Sequence, residues 1–315
     1  MHDMSGNLQV KRSVTKLRFL LTFGIADPQS LSCISQVLGS SRMLRVLDLR
    51  GAPLKMIPEI IFKLFHLRYL SLRNTNVKVL PRSIERLKQL EILDLKQTYV
   101  TELPVEILKL ENLRHLLVYS CVSYSYLPYN CSPGLKAFRG IEALRALQKL
   151  AYIEATPDSG ILREVGVLSE LRRLVILNLR KEDGRILCSS IEKLHRLESL
   201  YLKFEEENGI LDLTCHLLHL SFRYIGEELY FEQGKFQRLK LLNLDKSDGL
   251  RRVTISEGAI PHLEKMVVQR CALLESVPTG IECLLNLKVL EFVDMPDEFI
   301  MTLHPDKQGA YSWKV

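Results

Sequence analysis

Between Leu44 and Asn112 the chain says the same thing three times. LRVLDLRGAPLKMIPEIIFKLFH is followed by LRYLSLRNTNVKVLPRSIERLKQ and then by LEILDLKQTYVTELPVEILKLEN, an exact period of 23 residues. Each copy opens L-x-x-L-x-L and carries a Pro nine residues past its third Leu. Alternation puts Leu47 and Leu49 on one face of a short strand and Val46, Asp48 and Arg50 on the other. The Pro-led half, as in PRSIERLKQ, spaces apolar residues three or four apart, so it returns as a helical turn. One such unit cannot bury its own leucines, whereas stacked units bury them against each other.

A period of this length with this core is a leucine-rich repeat. The expected fold class is α/β: a leucine-rich-repeat solenoid, or horseshoe, of about twelve repeats with a concave parallel β-sheet. First-position residues run Leu17, Leu44, Leu67, Leu90, Leu113, Leu147, Leu174, Leu197, Leu217, Leu239, Leu263 and Leu287. Strands are therefore expected around Leu20, Leu47, Leu70, Leu93, Leu116, Leu150, Leu177, Leu200, Leu220, Leu242, Met266 and Leu290. The step of 34 between Leu113 and Leu147 leaves a Tyr-rich surplus. Its Leu127-Pro128 reads either as the end of a degenerate repeat or as part of an insertion that projects from one edge. The expected organisation is an N-terminal extension over 1–13, the repeat domain over 14–294 and a capping tail over 295–315.

Composition narrows the class. Hydrophobic content of 47% describes a globular chain, not a disordered one. No apolar run approaches the 18 or more residues of a membrane span, and the first residues lack the apolar core of a secretory signal. Seven cysteines, an odd number, show no paired framework; Cys121 and Cys271 fall just past their strands and read as small buried thiols of a reducing compartment. A net charge of +6 favours acidic partners but is far from a nucleic-acid-binding composition. The chain reads as cytoplasmic, with no nucleic acid and no membrane span among its partners.

Chemistry is sparse. The sequence has no phosphate loop, no dinucleotide fingerprint and no nucleophile elbow. His216 and His219 flank core leucines without a second ligand pair, and Glu205-Glu206-Glu207 reads as a solvated turn. The expectation is no enzyme, no cofactor, no metal and no catalytic residue. The informative positions are those following each L-x-L on the concave side. Arg50, Arg73 and Lys96 form one basic stretch, and Arg180, Lys203 and Arg223 a second, with Tyr119 between them. They read either as solvated charge or as a docking strip for an acidic protein surface; Asp48 and Asp94 partly neutralise the first stretch. None is needed for the core, so replacing them is expected to cost little stability. Tyr124, Tyr126 and Tyr129 of the surplus segment are candidate loop contacts.

LRYLSLRNTNVKVLPRSIERLKQLEILDLKQTYVTELPVEILKLENLRHLL closely resembles the repeat consensus of plant intracellular nucleotide-binding leucine-rich-repeat resistance proteins of the coiled-coil class. Arg73, Thr75, Val77, Leu80-Pro81 and Ile84, their counterparts Thr98, Val100, Leu103-Pro104 and Ile107, and Leu113-Arg114-His115-Leu116 carry the likeness. GLKAFRGIEALRALQKL and MPDEFI are also similar to that family. Met1-His2-Asp3 matches the tripeptide that closes the family's nucleotide-binding module, and the chain reads as a truncated product or a repeat-only fragment. The resemblance implies recognition in plant immunity: a protein partner that is a pathogen effector, a guarded host protein or the nucleotide-binding module, held inactive through the first repeats. The alternative is an intracellular scaffold of the kind that bridges small GTPases and phosphatases. An extracellular ectodomain fits less well, since Leu-Pro follows Thr here where such repeats carry Gly-x-Ile-Pro.

Overall fold

The computed structural model describes residues 17–21, 35–119, 134–136, 138–156, 160–180, 182–204, 217–224 and 226–303. It divides into two compact units, Met1–Tyr152 and Ile153–Val315.

The first unit is built on parallel strands β1 (Phe19–Leu21), β2 (Val46–Asp48), β3 (Tyr69–Ser71), β4 (Ile92–Lys96), β5 (His115–Tyr119) and β7 (Lys149–Glu154), with the short β6 (Leu135–Lys136) beside β7. Leu20, Leu47, Leu70, Leu93, Leu116 and Leu150 are partners in one continuous register. This is the ladder the 23-residue period demands. Leu47, Leu70, Leu93 and Leu116 are wholly buried, and so are the third leucines Leu72 and Leu95.

Each strand ends in a turn with its own chemistry. Gly51, Asn74 and Gln97 take positive φ (73°, 55° and 58°). The next residues differ in kind: Thr75 and Thr98 each donate a hydroxyl proton to a carbonyl three residues back, Leu72 O and Leu95 O, both at 2.7 Å. These hydroxyls close the turn that a strand end would otherwise leave open. The returning halves are 3₁₀ turns, Glu59–Lys63, Arg82–Arg86 and Val105–Lys109, each entered from an extended proline (Pro58, Pro81, Pro104). Ile61, Ile84 and Ile107 are buried beneath them.

The second unit holds β8 (Arg173–Leu179), β9 (Ser199–Phe204), β10 (His219–Arg223), β12 (Leu241–Asp245), β14 (Lys265–Gln269) and β15 (Val289–Val293), again parallel. Leu200, Leu220, Leu242, Met266 and Leu290 stay in register. Leu177 does not. The partner of Leu200 is Leu174, followed by Ile176 opposite Leu202 and then a bulge, after which Leu179 faces Phe204. The repeat therefore opens at Leu171, whose amide bonds to Leu168 O as that of Leu147 does to Leu144 O and that of Leu197 to Leu194 O. Leu171-x-x-Leu174-x-Ile176 satisfies the motif as well as Leu174-x-x-Leu177-x-Leu179, and all five residues are buried, so the pairing of Leu174 with Leu200 and of Ile176 with Leu202 decides between them.

Two returning halves of this unit are helical: α1 (Ile161–Val165) and α2 (Asp183–Ile191). Others are extended. β11 (Glu228–Phe231) and β13 (Arg252–Ile255) form a separate parallel pair, extended by a bridge between Thr254 and Thr279. Leu229, Phe231, Val253 and Ile255 point inward while Tyr230 is 60% exposed, so a period of two with aromatic and β-branched residues has displaced the helical turn. At the end of the described chain α3 (Asp297–Thr302) buries Phe299, whose ring lies 4.9 Å from that of Phe292.

Candidate protein-binding face

In the first unit the inward strand positions belong to leucines, so the opposite, open face carries everything else. Backbone pairing runs past the strand ends: Gly51 N donates to Arg73 O and Asn74 N to Lys96 O, both at 2.9 Å. Arg50, Arg73 and Lys96 are therefore strict equivalents, and Tyr119 is the register partner of Lys96. The same face carries a second row, Asp48, Ser71, Asp94 and Leu117.

The two rows are linked. Asp48 accepts from the Arg50 amide at 3.0 Å and from its guanidinium at 3.2 Å. Asp94 accepts from the Lys96 amide at 3.0 Å, with the ammonium 3.5 Å away. Arg73, two residues past Ser71, turns its Nε to Gln97 Oε1 at 3.1 Å. The carboxylates are almost fully covered, whereas the Arg50 side chain is 44% exposed. These contacts bear on how the cations are best replaced. Reversing their charge would set Glu beside two covered carboxylates, and the neutral replacement Gln is the milder change.

The second basic stretch is not a stretch. Lys203 and Arg223 are register partners, but the bulge in β8 puts Leu177 and Asn178 opposite Lys203 and leaves Arg180 beyond the strand. Arg180 instead serves the start of α2: its amide donates to Asp183 Oδ2 at 2.9 Å, and its guanidinium lies 3.9 Å from Glu182. Arg223 is held by Asp248 at 2.6 Å. Ile153 is buried, and Tyr152 adopts φ 62° with its ring against that of Tyr119 at 4.8 Å.

Sequence reasoning passed over a polar ladder in the second unit. Gln269 donates to Asn243 Oδ1 at 3.4 Å and Asn243 to Ser221 Oγ at 3.0 Å. Asp245, 2% exposed, is held by the Arg270 guanidinium at 3.0 Å. The signal was present as polar residues at the alternate strand positions, but their mutual bonding depends on register. Cys271 is buried, and burial pushes its thiol up to about 11. Tyr124, Tyr126, Tyr129, Cys121, His216 and Glu205-Glu206-Glu207 lie outside the described residues, as do Met1-His2-Asp3 and the rest of 1–13. Among the described residues no helix is long and apolar enough to cross a membrane.

Repeat period, parallel ladder and proline-led turns define a leucine-rich-repeat protein, and the family model "Leucine-rich repeat region" matches residues 16–214; the chain belongs to that family. Its sequence is similar to Disease resistance protein RPM1 of Arabidopsis thaliana, 37% identical over 84% of this chain and 34% of that protein. It is also similar to Disease resistance RPP8-like protein 3 of the same plant, 25% identical over 54% of this chain and 19% of that one. The chain thus spans about a third or less of these curated relatives. Among solved structures it is similar to a TDR receptor, with a TM-score of 0.55 and 18% identity over 87% of this chain and 47% of the other. A leucine-rich-repeat protein of Leptospira interrogans gives 0.50 and 22%, over 83% and 68%. At such identities these two share the fold alone.

Proposed function

We propose that this chain is the recognition region of a cytoplasmic plant disease-resistance protein. Its first unit docks an acidic protein surface through Arg50, Arg73 and Lys96. The observation that carries this reading is their strict backbone equivalence on the open face, where three cations in successive repeats lie about 4.8 Å apart per strand. Asp48 and Asp94 hold two of these side chains in place while leaving Arg50 substantially exposed, so the row is preorganised for a partner's carboxylates. The partner class is a protein: a pathogen effector, a guarded host protein or a nucleotide-binding module kept inactive by the contact. The disease-resistance relatives support the defence setting. The region is a binding module without catalysis of its own.

The test is direct binding of the purified chain to the nucleotide-binding module of a coiled-coil-class resistance protein, at low and high salt. Wild type should bind more weakly as salt rises, since exposed charges are screened over about 8–10 Å. The variant carrying Arg50→Gln, Arg73→Gln and Lys96→Gln should lose most of the low-salt affinity. Equal, salt-insensitive binding by both proteins would reduce the row to solvated surface.

A further inference from the structure

The segments that lead from each strand to its proline-led turn form a flank separate from the open sheet face. In the first unit, the two residues at the third and second positions before Pro58 are Lys55 and Met56, and those before Pro81 are Lys78 and Val79. Met56 is 80% exposed and Val79 71%, so two apolar side chains at equivalent places in adjacent repeats stand in solvent. The third repeat continues the apolar surface on either side of its own equivalents, with Tyr99 48% and Val105 65% exposed. Tyr99 N donates to Val77 O at 2.9 Å, which ties the third repeat to the second along this flank. Both lysines are exposed, and neither holds an ion pair among the described residues.

The fold does not ask for this composition. Before Pro104 the same two positions hold Thr101 and Glu102, and Glu102 pairs with Lys136 at 2.6 Å. Before Pro278 they hold Glu275 and Ser276, and Glu275 pairs with Arg251 at 3.1 Å. Polar, internally paired residues thus serve the same turn. A single exposed apolar side chain needs no account, but neighbouring ones rimmed by unpaired charge mark an interaction surface.

We propose that Lys55–Met56 and Lys78–Val79 form a second interaction surface, independent of the sheet face, that takes an acidic peptide segment with apolar anchors. Met56 and Val79 cover the anchors, the former with a flexible thioether suited to varied shapes. The two lysines, about 5 Å apart as adjacent repeats are, meet carboxylates that flank the anchors.

The probe is a short fluorescein-labelled peptide alternating Asp with Leu, titrated with the full chain and followed by anisotropy. Its Lys-for-Asp counterpart serves as the control. The acidic peptide should bind saturably and the basic one should not. The double variants Met56→Ser/Val79→Ser and Lys55→Glu/Lys78→Glu should each weaken binding by about tenfold or more, with melting temperatures unchanged because all four residues are exposed. Backbone amide resonances of 53–59 and 76–82 should shift in the wild type, which locates the contact even if a variant folds poorly. The Arg50→Gln/Arg73→Gln/Lys96→Gln variant should bind the peptide as wild type does. Absence of saturable binding, equal binding by the flank variants, or loss in the sheet-face variant instead would overturn the proposal. Loss in the sheet-face variant would place the peptide on the sheet face instead; the other results leave docking there unaffected.

Discussion

Gly280 has φ 86°, and a Cβ built there would meet the carbonyl oxygen of Ile255 at 1.9 Å. That oxygen belongs to β13, so no rotamer change can relieve the clash; the backbone itself must move. Gly280→Ala combines a left-handed φ with a backbone collision and should destabilise the chain by about 2 kcal/mol or more, read as a lower midpoint in urea unfolding. Unchanged stability would mean that the turn before Ile281 is held less tightly than the contact implies. Cysteine reactivity is a second residue-scale test. Cys271 is buried and its thiol is raised, whereas Cys283 is exposed. In the native chain an alkylating reagent at neutral pH should modify Cys283 and spare Cys271 until the protein unfolds.

At the scale of elements, neighbouring repeats are stitched by ion pairs with repeat-length spacing. Arg68 meets Glu91 at 2.8 Å and Lys109 meets Glu85 at 2.6 Å. Glu264 is held from both sides, by Lys288 at 2.8 Å and Lys240 at 3.0 Å. Hydrogen bonds from Lys288 and then Lys240 pull the Glu264 carboxyl down to about 2 from 4.5. A carboxyl lowered on folding contributes stability above its unfolded value and loses it as pH falls through the folded one. Glu264→Gln should therefore lower the melting temperature slightly at pH 7 and flatten its fall between about pH 4.5 and 2 by the same amount, which is small because solvent screens this half-exposed group. A wild-type-like acid profile in the variant would show that the carboxylate is not held as its contacts imply.

Elements also show what could be read in advance. The 23-residue copies fixed Leu47, Leu70, Leu93 and Leu116 because spacing, proline and alternation all agreed. At Leu171, Leu174 and Leu177 two overlapping motifs fit, and only the strand register and its bulge chose between them. That one shift removed Arg180 from the basic row. β11 and β13 were legible as alternation in ELYF and RVTI, but a repeat pattern expecting helical turns hid it. The pairing of Arg50 with Asp48 and Lys96 with Asp94 lay in plain spacing, whereas the near-complete cover of both carboxylates was a property of the packed sheet.

For the molecule as a whole, the leucines account for the repeat fold and leave function to the residues between them. The first unit offers a sheet face whose cations are aligned by backbone pairing, the face proposed to take an acidic partner. Hydrogen exchange on the chain bound to a resistance-protein nucleotide-binding module tests the central claim most directly. Docking through Arg50, Arg73 and Lys96 predicts slowed amide exchange at the ends of β2 to β5, around residues 48–51, 71–74, 94–97 and 117–119, with the turns 59–63, 82–86 and 105–109 unchanged. Slowing confined to those turns, with the strand ends exchanging as in the free chain, would contradict it.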